Sequence, residues 1–124
     1  MNAGGGVIEI NPVEVEKSIH GLVQQIAKGV KVVSEAHRRK LTADRLYDHA
    51  FAVAYMAHTG PQTEKKYAAE KATQQERIDK DVAEVAYAHA QRQMKALEGQ
   101  LSAWQTMSKS VSSMFGAAGS GRGQ

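Results

Sequence analysis

The sequence contains no cysteine, only two prolines in 124 residues, and aromatic residues at 6%. Without cysteine there can be no disulfide and no thiolate metal site, which fits a reducing compartment. Few prolines and aromatics, with a middle dominated by alanine, glutamine, lysine and glutamate, favour helices over a sheet-based enzyme fold. No uninterrupted apolar stretch approaches the roughly eighteen residues that a membrane span needs. The opening MNAGGGVIEINP has no basic segment followed by an apolar run, so it does not read as a secretory signal. The expected location is cytoplasmic. The net charge of +3 permits binding to a polyanion without requiring it. The length fits one domain. A two-helix fold of that length offers each helix one stripe to bury, so further burial has to come from other copies.

Residues 1–10 read as a flexible lead, because Gly4-Gly5-Gly6 holds no regular conformation cheaply. Val7-Ile8-Glu9-Ile10 could form a short extended segment or dock as an apolar strip. A helix start follows. Asn11 suits the N-cap, Pro12 the first helical position and Glu14 the capping box, and Ile10 with Val15 occupies the positions of a hydrophobic staple. From Val15 the apolar residues recur at Ile19, Leu22, Ile26, Val30 and Val33 with helical spacing. The stripe lapses through His37-Arg38-Arg39-Lys40 and resumes at Ala43, Tyr47, Ala50, Ala54 and Ala57. One helix with a stutter is favoured over a stop and restart at Thr42-Ala43-Asp44.

Thr59-Gly60-Pro61-Gln62-Thr63 is the clearest break. Gly60 can adopt the left-handed conformation that closes a helix, Pro61 cannot extend one, and Thr63 can cap the next. The expected second helix runs from about Glu64 to about Phe115. Its end carries a heptad of large residues, Met94, Leu97, Leu101, Trp104, Ser108, Val111 and Phe115, suited to a partner helix. The predicted organisation is therefore all-α: a long antiparallel helical hairpin over 11–115, turning near 60–63, coiled-coil-like and oligomeric. The sequence places the oligomerisation seam at Met94, Leu97, Leu101, Trp104, Val111 and Phe115. Residues 116–124, GAAGSGRGQ, read as a disordered glycine-rich tail.

Catalytic chemistry finds little support. The histidines at 20, 37, 49, 58 and 89 form no HExxH and no i, i+4 pair, so no metal site or cofactor is expected. Asp44 with Asp48, and Asp81 with Glu84, share helix faces. Each pair also has basic neighbours at ion-pairing distance along the helix, Lys40 before Asp44 and Arg77 before Asp81, which suits helix support better than acid–base work. No serine near the C-terminus has a base or an oxyanion motif beside it, and there is no phosphate-cradling loop. An enzyme is not expected.

The basic residues are more suggestive. Lys28, Lys31, Arg38, Arg39, Lys40 and Arg45 are opposed only by Glu35 and Asp44, and Lys65, Lys66 and Lys71 follow the turn. Tyr47, Phe51, Tyr55 and Tyr67 lie near them in sequence. Charge that tracks a phosphate backbone beside rings available for stacking is the usual recipe for single-strand binding. The competing reading is a solvated charged face with core tyrosines.

The stretch RRKLTADRLYDHAFAVAYMAHTGPQTEKKYAAEKAT, a basic segment followed by tyrosines, a glycine turn and a second basic stretch, resembles the phage recombination mediator family, the UvsY-like proteins. The segment MKALEGQLSAWQTMSKSVSSMFG looks like the oligomerising amphipathic helix of such proteins. The resemblance implies a helical hairpin that assembles into rings, binds single-stranded DNA and helps load a strand-exchange recombinase in place of single-strand-binding protein. It implies DNA contact at Arg38, Arg39, Lys40 and Arg45 and a host-cytoplasmic location if phage-encoded, and the charge pattern adds Lys65, Lys66 and Lys71 beyond the turn as nucleic-acid-binding candidates. The chain departs from that pattern by interposing Leu41-Thr42-Ala43-Asp44 and by its long first helix. Against this stands a non-enzymatic helical interaction or assembly module of a phage with no nucleic-acid role.

Overall fold

A computed structural model of the protein describes residues 11–122, with side chains described through residue 116. The described residues are all-α: α1 (Pro12–Ala57), α2 (Gln62–Ala72) and α3 (Gln74–Arg122). The first helix starts where the capping chemistry places it. The Val13 amide donates to Asn11 Oδ1 at 2.8 Å, and the Val15 amide donates to the Asn11 carbonyl at 3.0 Å. The staple partner Ile10 and the rest of the lead over residues 1–10 lie outside the described residues.

α1 is continuous for 46 residues, so the chain does not stop and restart at 42–44. Asp44 is not a cap there. It takes Lys40 Nζ at 3.2 Å, one turn back, while Arg38 and Arg39 reach Glu35 at 3.1 and 3.6 Å. Ion pairs at i, i+3 and i, i+4 support the helix where its apolar stripe lapses.

Beyond Ala57 the break has the expected glycine conformation, with Gly60 at φ +136°, a region that L side chains rarely enter. The restart differs from expectation. α2 begins at Gln62, directly after Pro61, whose φ of −61° and ψ of 153° make it the capping residue without any side-chain bond. Thr63 therefore lies inside the first turn and caps nothing. Pro61 instead supplies a carbonyl that accepts the Lys65 amide at 3.1 Å.

The second helical stretch is also divided. At Thr73 the backbone leaves helical geometry, with φ −115° and ψ 23°. Its amide is shared between the carbonyls of Ala69 (3.1 Å) and Glu70 (3.4 Å), and its hydroxyl donates to Ala69 O at 2.7 Å. A threonine that bonds back to the carbonyl four residues earlier bends a helix. This one is 2% exposed, against a wholly buried Ala69. At the far end, α3 continues to Arg122 where a disordered tail from residue 116 is expected from composition. Extending a formed helix adds a bond for each residue fixed, and no proline or left-handed glycine intervenes to stop it among the described residues.

The chain divides into two compact units. One combines the residues up to Lys28 with those from Met94 onward, and the other is Gly29–Gln93. In the first unit Val15, Leu22 and Val111 are buried. Met94, Leu97, Leu101, Trp104 and Ser108 are half-buried, and Phe115 is 62% exposed. Ile19 of α1 borders the same depression as Gln105, Ser108 and Lys109 of α3. The large residues of α3 thus share a unit with the first part of α1, and all but Phe115 are at least half covered there. Within this unit Val111 is buried, Leu97, Leu101 and Trp104 are partly covered, and Phe115 stays outside.

In the second unit the buried residues are Ala69, Thr73 and Ala90. Lys65 Nζ lies 5.5 Å from the centroid of the Tyr55 ring, and Lys80 Nζ lies 5.2 Å from that of Tyr47. The His37 ring stacks on Tyr87 at 4.8 Å between centroids. Partners therefore recede from the 58–61 break together, one toward each end of the unit.

Candidate nucleic-acid interface

The seven basic residues singled out by the sequence fall into four settings within the second unit. Arg38 and Arg39 have side chains 74% exposed, but both charges are engaged by Glu35. They border a groove with Thr42, Ala43 and Leu46, whose other wall includes Glu76 and Asp79. Lys40 turns against its own helix. Its side chain is 29% exposed and bound to an Asp44 that is 26% exposed, and the other oxygen of Asp44 has no partner among the described residues. That lysine is committed to the fold rather than available to a phosphate. Arg45 and Lys71 are exposed and make no ion pair with a described residue.

Lys65 and Lys66 have a different setting. Tyr47, Phe51 and Tyr55 recur every four residues on α1, so their rings form a row, with centroids 6.0 Å and then 6.3 Å apart. Lys65 sits over the Tyr55 end of that row and Lys80 over the Tyr47 end. Contacts of this kind hold an ammonium against the negative face of a ring. Beside them lies a concavity of about 490 Å³ lined by Phe51, Tyr55, Gln62, Thr63, Lys66 and Tyr67. The Tyr67 ring is 65% exposed. An exposed ring on one wall, two partly covered rings on the other and a lysine at the rim can accept a flat heterocycle and the anion attached to it.

The break positions these groups. Pro61 starts α2 at once, which puts Gln62, Thr63, Lys66 and Tyr67 on its first turn and a half. Across the break Glu64 Oε2 approaches His58 Nε2 to 4.0 Å. A Cβ on Gly60 would meet that same Glu64 oxygen at 2.9 Å.

The structure therefore gathers Lys65 and Lys66 with all four aromatics named from sequence, and leaves Arg38 and Arg39 in an acid-lined groove. Lys80 was not singled out from sequence. Its contact with Tyr47 depends on the pairing between α1 and α3, for which local spacing carries no signal. No three histidine, aspartate or glutamate side chains converge among the described residues, and no helix of the described residues is long and apolar enough to cross a membrane. Comparison with family models, with curated proteins and with solved structures found no match to the chain.

Proposed function

We propose that the chain is an oligomeric single-stranded DNA-binding accessory protein of recombination, a mediator that helps load a strand-exchange recombinase. The observation that carries the nucleic-acid part is the aromatic row with its lysines, bordering a concavity rimmed by Lys66 and Tyr67. Bases stack on rings whatever their identity, and Lys65 and Lys66 beside the rings neutralise the phosphates between them, while Lys80 is paired with Glu84 at 3.9 Å. A duplex keeps its bases stacked on one another, so this arrangement suits a single strand. The mediator role and the recombinase partner rest on the resemblance of the sequence to UvsY-like proteins. The antiparallel hairpin that goes with that reading is supported by the way contacting residues recede together from the 58–61 break.

The oligomeric part draws on the amount of large apolar side chain left outside. Five hydrophobic residues are buried among those described, whereas Leu46, Val53, Met56, Val82 and Val85 are each more than half exposed. That observation also favours the second reading, a helical assembly module without nucleic acid. The two are separated by fluorescence anisotropy of a labelled single-stranded oligonucleotide titrated with the full chain. The proposal expects saturable binding at low salt that weakens steeply with added salt and exceeds binding to a duplex of equal length. No anisotropy change at low salt would leave the assembly module as the reading that stands.

A further inference from the structure

In the second unit α1 and α3 present small residues inward: Ala36, Ala43, Ala50 and Ala54 from α1, and Ala83 and Ala90 from α3, are buried or half-buried. Larger aliphatic residues on the same helices point elsewhere. Val32, Leu46 and Val53 are 55–59% exposed, and Ile78, Val82 and Val85 are 54–66% exposed.

These side chains are ordered. Val32, Arg39, Leu46 and Val53 follow one another at seven-residue steps on α1, as Asp79, Ala86 and Gln93 do on α3. Seven-residue steps keep side chains on one face of a helix. Two neighbouring depressions run along that face. One is bordered by Val32, Ala86, His89 and Gln93, the other by Leu46, Glu76 and Asp79, and Arg39 belongs to both. They form one groove with heptad spacing on each wall. The walls differ in charge. The α1 wall contributes Lys31, Arg38 and Arg39 against Glu35, whereas the α3 wall contributes Glu76 and Asp79 and no lysine or arginine.

We propose that this groove is where a second copy of the chain docks, turned about a two-fold axis running along the groove. That rotation lays the basic α1 wall of each copy over the acidic α3 wall of the other, so one face supplies both halves of the complement. It also sets heptad against heptad. Leu46 shares its depression with Asp79, and its neighbour Tyr47 is met by Lys80, so Leu46 lies level with Asp79 and Lys80, and the exposed Val82 follows within one turn of α3. A rotation that preserves level brings Leu46 of one copy to the turn of α3 in the other that runs from Asp79 to Val82, where Val82 is the exposed aliphatic partner. A nucleic acid is a poor occupant, because three carboxylates and a row of aliphatics line its path. The inference rests on the oligomeric part of the function proposed above and gives it a location distinct from the large residues at the end of α3.

The test uses the full chain, which has no native cysteine. Sedimentation velocity over a concentration series should show self-association by the wild type. Val82→Glu should raise the dissociation constant at least 100-fold while circular dichroism reports unchanged helicity. Chains carrying Leu46→Cys and chains carrying Val82→Cys, mixed and oxidised, should give mainly the mixed disulfide, a readout that needs no disruptive substitution. A monomeric wild type overturns both this interface and the oligomeric reading. An assembly that Val82→Glu leaves intact, or a preference for like-with-like disulfides, overturns this interface and leaves the oligomeric reading standing.

Discussion

Tyr67→Ala should weaken binding of a single-stranded oligonucleotide roughly 5- to 150-fold, whereas Arg38→Ala with Arg39→Ala should change it by less than about threefold. The first figure follows from a stacking contribution of about 1–3 kcal/mol per base. Tyr67 is the most exposed ring of the aromatic group, so its loss removes contact area without opening the interior. The second follows from the ion pairs. Each arginine already faces Glu35, and the groove they border holds two further carboxylates. Lys66→Ala should act differently from either. It removes a phosphate partner, so affinity should fall by a similar factor for every oligonucleotide sequence, and the slope of log affinity against log salt should shrink by about 0.7. The measurement is one set of anisotropy titrations at several salt concentrations. Equal losses for Tyr67→Ala and the arginine pair would move the contact back to the basic segment before the turn.

The second large effect concerns stability. Leu22→Ala should destabilise the protein by about 2–5 kcal/mol, as truncation of a leucine that is 7% exposed usually does. Val23→Ala, one residue along but 49% exposed, should cost less than about 0.5 kcal/mol. The informative companion is Leu101→Ala. If the α3 heptad packs within its own unit, this change lowers the midpoint of urea unfolding while the subunit number by light scattering stays as in the wild type. If the heptad instead joins separate copies, the subunit number falls. The half-buried state of Leu101 and Trp104 and the burial of Val111 argue for the first outcome.

Much of the helical framework was legible because its signals are local. Asn11 and Pro12 start a helix through chemistry confined to a few residues, and Gly60-Pro61 ends one the same way. The Thr73 break was not legible. A single threonine among alanine, glutamine and lysine barely alters helix propensity, and the bend comes from a side-chain bond that forms as the residue is buried. The same limit applies to the α3 heptad. Spacing shows that Leu97, Leu101 and Trp104 will be covered, but it does not say whether by the same chain or another. For the candidate site, residue types were readable and grouping was not. Lys40 already stood one turn from Asp44 in sequence, and that pairing takes it out of the basic set. Lys65 and Lys66 differ from Arg38 and Arg39 only in what the fold sets beside them.

The two interruptions that bound α2 have a consequence for the order in which the protein opens. Eleven residues make a helix too short to hold by itself in water, and breaks at 58–61 and at Thr73 separate this one from the long helices on either side. Its amides should therefore exchange with deuterium ahead of those in the flanking parts of α1 and α3, as a small cooperative segment of its own. Lys65, Lys66 and Tyr67 all ride on that segment. A strand gripped there would slow exchange through α2 first, so the least stable piece of the second unit would also be the piece that reports occupancy.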